Sequence, residues 1–189
     1  MTQYADVHTE KEAARMAAFL MAAASRTAPK TRGMDSTRTL VLDGEDIEKL
    51  AAGMESKAER MSPNTAGILK GNAANVRAST CVLLIGVTGE PKALERPLDC
   101  GACGYDTCER LNKARKKTKD FSGPTCVFQS MDLGIALGSA AKMASELNID
   151  NRIMYSIGVA AKEMGLLDSD IIIGIPLAVK GKSPYFDRR

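Results

Sequence analysis

The spacing of apolar positions divides the chain into alternating helical and extended stretches. Between Thr9 and about Arg26, apolar residues such as Ala13, Met16, Ala17 and Leu20 recur at helical spacing. Thr9 and Glu12 have the spacing of a capping box, and Pro29 stops the run, so this stripe predicts a helix that lines the core. TRTLVL, residues 37 to 42, is a short strand closed by the Asp43-Gly44 turn, after which EDIEKLAAGMESKAERM is amphipathic. Another helix spans about Pro63 to Val76. From Ser79, STCVLLIGV is a near-continuous β-branched and aliphatic run, the mark of a strand buried on both faces, with Cys81 as a core residue inside it. SMDLGIALGSAAKMASELN reads as a long helix whose Ala and Gly content suits close packing. RIMYSIG from Arg152 and DIIIGIPLAV from Asp170 read as two further strands that bracket a helical segment.

Strands alternating with helices imply an α/β layered domain with a mainly parallel sheet. A chain of 189 residues, 44% hydrophobic and 26% charged, suffices for one domain with a substantial core. Residues 95–127 stand out as an insertion with chemistry of its own. The net charge is only +3 and its positive residues are spread along the chain, so the balance does not argue for a nucleic-acid or membrane-surface protein. MAAFLMAAAS, residues 16 to 25, follows Asp6, Glu10 and Glu12 where a secretory signal needs positive charge, and no run approaches the ~18 apolar residues of a membrane span. The expected location is the cytoplasm.

There thiols stay reduced, and a cysteine cluster points to metal rather than to disulfides. Four of the five cysteines, Cys100, Cys103, Cys108 and Cys126, are spaced C-x2-C-x4-C-x17-C. Four thiolates are what a [4Fe–4S] cluster requires, one per iron, three of them wrapping one side while the fourth returns from elsewhere. Gly101 and Gly104 permit left-handed backbone beside the cluster, with N–H groups turned toward its sulfides. Asp106 and Glu109 have capping-box spacing, which predicts a helix through ERLNKARKKTK with Cys108 in its first turn and its positive end at the cluster. Gly123 and Pro124 turn the chain back before Cys126. The rival is a structural zinc ion on the same four thiolates, although zinc sites usually pair two short C-x2-C knuckles.

CGACGYDTC with its distant fourth cysteine resembles the four-iron domain of corrinoid iron–sulfur proteins and of the cluster-bearing B subunit of the Rnf electron-transfer complex. The resemblance implies that Cys100, Cys103, Cys108 and Cys126 are the [4Fe–4S] ligands. Nearly the whole chain, through RTAPKTRGMD, MDLGIALGSAA, NIDNRIMYSIG and GIPLAVKGKSPYFDRR, is similar to the uncharacterised ferredoxin-domain proteins whose scaffold is related to flavin-dependent nitroreductases. That likeness implies an α+β nitroreductase-like layer structure with the cluster segment inserted. It also implies a homodimer, because flavin nitroreductases bind FMN across a dimer interface. The arginine-serine pattern that usually holds the FMN phosphate is missing from the N-terminus, where the chain reads QYADVH. Arg26, Lys30, Arg32, Lys180 and Lys182 are the cations left as phosphate ligands.

Other motifs fall away. GKS at Gly181 to Ser183 lacks the first glycine of a P-loop, since position 176 is Pro176. His8, the only histidine, lies in a polar stretch, which removes Ser–His and Cys–His catalysis. Lys113, Arg115, Lys116, Lys117 and Lys119 form a basic run, either a solvated helix face or a docking patch for an acidic redox partner such as a ferredoxin. The expectation is an iron–sulfur electron-transfer protein, with a flavin oxidoreductase fed by the cluster as the alternative and a zinc-stapled scaffold as the third reading.

Overall fold

A computed structural model describes residues 3–186. Six helices, α1 (Asp6–Thr27), α2 (Glu45–Ala58), α3 (Pro63–Arg77), α4 (Cys108–Lys113), α5 (Val127–Glu146) and α6 (Tyr155–Glu163), accompany six strands. The strands are β1 (Thr37–Asp43), β2 (Cys81–Val87), β3 (Lys117–Thr118), β4 (Ser122–Gly123), β5 (Asp150–Asn151) and β6 (Ile171–Ala178). A four-stranded sheet in the order β1-β2-β6-β5 forms the middle layer, and β3 and β4 make a separate small hairpin.

All seven residues of β2 are buried, because each face of the sheet is covered by helices. Cys81, Leu83, Ile85 and Val87 face α1 and α5, while Val82 and Leu84 face α2, α3 and α6. Alternate residues of β6 divide the same way, Ile175 and Leu177 to the first side and Ile172 and Ala178 to the second. Cys81 is fully buried, and loss of water pushes its thiol up to about 12.

The sheet is antiparallel throughout, not mainly parallel. The reason is countable. Two helices, α2 and α3, join β1 to β2, so the chain leaves the end of β1, travels back along the sheet and returns before β2 begins. A single helix would have made the pair parallel. RIMYSIG is likewise not a strand: only Met154 bridges to Gly174, and Tyr155 opens α6. Gly158 explains how that helix lies so close to the sheet, since a Cβ there would sit 1.7 Å from the Ile172 carbonyl oxygen.

At the N-terminus, α1 starts at Asp6 rather than Thr9, whose hydroxyl donates to the Asp6 carbonyl instead of capping. Its buried stripe is Ala14, Ala17, Ala18 and Met21. The stripe through Ala13, Met16 and Leu20 is rotated outward, and with Phe19 it leaves large apolar side chains on the surface. Small residues win the core side because α1 packs directly on α5, whose own buried face is also rich in alanine. No helix among the described residues is long and apolar enough to cross a membrane.

Replacing Gly158 by Ala should destabilise the protein by about 3 kcal/mol or more, because the obstacle is backbone and cannot swing aside. Gly138→Ala, on an exposed turn of α5 where a Cβ meets nothing, should instead stabilise by about 0.5–1 kcal/mol. Urea unfolding of the two variants beside the wild type checks both signs.

Candidate functional site

Cys100, Cys103 and Cys108 lie on the segment between β2 and α5, and Cys126 is the residue just before α5. All four line one cavity, with Lys92, Leu98, Tyr105, Leu111, Val127 and Phe128 contributing to its wall. Cys126 is buried while Cys100 is exposed, so the cavity has a sealed floor on α5 and an open lip on the loop. The loop folds as glycine allows: Gly101 and Gly104 have φ of 72° and 84°, and the Gly104 N–H donates to the Gly101 carbonyl at 2.9 Å.

The helix after the motif is shorter than its sequence predicts, and it is capped differently. Thr107, not Asp106, accepts the Arg110 N–H, at 3.2 Å, and Asp106 pairs with the Arg110 guanidinium. Asp99 reaches across the loop to accept the Cys108 N–H at 2.6 Å. These donors are therefore engaged inside the chain rather than turned toward the cavity. The helix stops at Lys113, and the rest of the basic run enters the β3–β4 hairpin. Lys113 pairs with Glu109 and Lys116 with Asp170, both at 2.5 Å, whereas Arg115, Lys117 and Lys119 are exposed.

Hydrogen bonds that use no sulfur atom fix this segment to the scaffold. The Cys126 N–H donates to the Gly89 carbonyl at 2.9 Å, and the Ser122 N–H to the Asp170 carbonyl at 3.0 Å. The Asp170 carboxylate accepts from the Gly89 N–H and from Lys116. Burial works to raise its pKa, but these two donors outweigh burial and hold it below the usual carboxylate range. At the hairpin tip Asp120 accepts from the Tyr155 hydroxyl at α6, which lowers the carboxylate against the opposing effect of burial. Lys57 of α2 lies 3.4 Å from the same carboxylate.

Beneath the cavity is a buried polar network that no motif announces. The Lys92 ammonium meets Asp132 Oδ2 at 2.9 Å, donates to the Met34 carbonyl at 2.6 Å and to Ser36 Oγ at 3.0 Å. Asp132 Oδ1 accepts from both the N–H and the hydroxyl of Thr31. Burial pushes the Asp132 pKa up, yet Lys92 and Thr31 together keep it below its ordinary value. Gln129 extends the network to Ser36 and to the Glu90 carbonyl.

The candidate phosphate cations fall into two groups. Arg26, in the last turn of α1, gathers with Lys30 and Arg32 of the turn that follows. There Arg26 pairs with Asp35 at 2.7 Å, Lys30 donates to the Ala28 carbonyl, and Arg32 donates to the Arg96 carbonyl of the cysteine segment. Lys180 and Lys182 follow β6 at the other end of the sheet, where Leu177 pairs with Cys81 and Cys81 with Asp43. Seven strand residues separate the two ends, about 20 Å at ~3.3 Å per residue, so one chain does not bring the five together. His8 is exposed and stacks on Tyr4.

A four-stranded antiparallel sheet between two helical layers, with a cysteine segment set into it, defines an α+β protein on a nitroreductase-like scaffold. The chain is similar along its whole length to a nitroreductase-like family protein from Bacillus cereus, at 10% identity, 93% of that chain and a TM-score of 0.56. A nitroreductase with bound FMN from Desulfitobacterium hafniense DCB-2 matches 99% of this chain and 85% of its own, at 14% identity and a TM-score of 0.55. These likenesses show the fold. An uncharacterized protein of Archaeoglobus fulgidus is 45% identical over 179 residues, covering 95% of this chain and 94% of that protein. The chain belongs to the family of uncharacterized proteins containing a ferredoxin domain, whose description matches residues 122–188.

Because the folded pKa values of Asp170, Asp132 and Asp120 lie below their unfolded values, these groups stabilise the fold above about pH 4. That contribution is lost as pH falls through the folded values. Asp170→Asn should lower stability at pH 7 by about 1–3 kcal/mol and make the remaining acid loss shallower. Unfolding curves from pH 7 down to pH 3 measure both.

Proposed function

We propose that this protein is an iron–sulfur electron-transfer protein that holds one [4Fe–4S] cluster on Cys100, Cys103, Cys108 and Cys126. The observation that carries the reading is that the three thiols of the CGACGYDTC loop and the distant Cys126 line a single cavity. Three ligands on one loop with a fourth returning just before α5 suit a cluster that takes each thiolate at a separate iron, whereas zinc sites usually pair two short C-x2-C knuckles. When bound, the cluster supplies one-electron chemistry. The chain's part is to hold the thiolates, screen the floor of the cavity with Leu111, Val127 and Phe128, and leave the lip at Cys100 open to a redox partner. The exposed Arg115, Lys117 and Lys119, on the chain between Cys108 and Cys126, would give an acidic partner a landing face, a role that a rate falling with rising salt would report.

The second reading, a flavin oxidoreductase in which cluster and FMN exchange electrons, is supported by the scaffold and by one contact. Arg32 ties the turn that carries Lys30 to the cysteine segment through the Arg96 carbonyl. An FMN phosphate held at that turn would sit on the wall next to the cluster. A homodimer suits the same reading: Met16, Phe19 and Leu20 of α1 and Met131 and Ile135 of α5 are exposed on two helices that pack together, a face suited to a second copy. The cytoplasm, where thiols stay reduced, suits the cysteine centre.

Protein purified without oxygen should be brown and contain about four irons and matching acid-labile sulfide per chain. Cys108→Ala should lose most of that iron and Cys81→Ala should keep it. Stoichiometric zinc without sulfide would overturn the reading.

For the flavin, sedimentation should show a dimer at micromolar concentration, and FMN fluorescence should be quenched saturably on titration. Arg32→Ala should weaken that binding by about ten- to a hundredfold, the usual loss of one charge-assisted contact. A monomer, or no saturation up to millimolar FMN, would leave the cluster as the sole redox centre.

A further inference from the structure

The least expected feature of the cavity wall is a full charge. The Lys92 side chain is 3% exposed and Asp132 1%, and a pair so buried contributes little net stability, since desolvation of both ions offsets their attraction. Hydrogen bonds to the Met34 carbonyl and Ser36 Oγ, together with the ion pair to Asp132, hold Lys92 in one place. The two charges are not placed equally. Lys92 lines the cysteine cavity, whereas Asp132 does not and is held back on α5 by the N–H and hydroxyl of Thr31. The pair is thus a fixed dipole whose cationic residue is the one on the cavity wall.

We propose that the Lys92–Asp132 pair sets the reduction potential of the centre held by the four cysteines. The inference rests on the iron–sulfur reading above. Reduction adds one electron, supplied in a titration by dithionite, and makes or breaks no covalent bond. The added negative charge is met by a buried cation already in place, and this favours the reduced state. Asp132 limits the effect by opposing it from further away. Nothing in the arrangement requires either group to change protonation.

The two residues should therefore act with opposite signs. Asp132→Asn keeps the side chain's shape and an oxygen for Thr31, and leaves the cation unopposed. It should raise the midpoint potential by about 59 mV, a tenfold shift of a one-electron equilibrium. Lys92→Met removes the cation and leaves a buried carboxylate, and should lower the potential by at least as much. The double variant, which lacks the dipole altogether, should lie below the wild type and above Lys92→Met.

The measurement is a dithionite titration of the full-length holoprotein followed by electron paramagnetic resonance, with iron and sulfide determined on each sample and thermal unfolding recorded alongside. Shifts of opposite sign, with the double variant below the wild type and above Lys92→Met, support the proposal. Shifts of the same sign in both single variants mean that the pair acts only by packing and overturn it, as does an unchanged potential. If Lys92→Met fails to take up iron, Asp132→Asn decides alone: a rise supports the proposal, and no change or a fall overturns it. Wild-type protein lacking iron and sulfide fails before any variant is made, and that failure belongs to the iron–sulfur reading itself.

Discussion

Both helical layers are organised by a strand with no exposed side. Each residue of β2 from Cys81 to Val87 is buried, alternately against α1 and α5 on one face and against α2, α3 and α6 on the other. Because the side-chain period of a strand is two, a slip of one residue against β1 or β6 would exchange the two sets and leave both cores mismatched. The register is thus fixed from both sides. That fixed strand ends at Val87, and the chain that leaves it carries Gly89, Lys92 and then the cysteines. The position of the site follows from the end of β2 more than from anything within residues 95–127.

The same logic accounts for the buried polar network. Lys92 follows β2 by five residues, Asp132 lies in α5 on the face that packs inward, and Thr31 follows α1. The three come together because α1 and α5 cover one face of the sheet and their connecting turns close over its end. A lysine and an aspartate brought there cannot remain hydrated, so they pair. The turn bearing Lys30 and Arg32 is held against the cysteine segment by the same closure, through Arg32 and the Arg96 carbonyl.

Much of this was legible in the sequence, and the parts that were not have physical causes. A run of seven apolar residues such as CVLLIGV has only one comfortable environment, so β2 could be read directly. The four cysteines could be grouped because thiols in that spacing have few other uses. RIMYSIG misleads because its β-branched residues suit a strand, while the clue to a helix pressed on the sheet, Gly158, looks like any other glycine. The sheet's direction depended on counting two helices rather than one between β1 and β2, a detail that alternation alone overlooks. On α1 the larger apolar residues draw attention, yet the buried side consists of alanines, Met21 and Ser25. Lys92 and Asp132 stand forty positions apart with no shared motif, and only the fold reveals them as a pair.

The attachments of the cysteine segment have a bearing on how the protein is put together and mended. Gly89 with Cys126, Asp170 with Ser122 and Lys116, and Asp120 with Tyr155 and Lys57 are contacts of backbone, carboxylate, hydroxyl and ammonium groups, and none uses a sulfur atom. On the iron–sulfur reading proposed above, oxidation that strips the cluster would leave these moorings in place, and the binding chamber would stay assembled around its four cysteines, to be recharged rather than refolded.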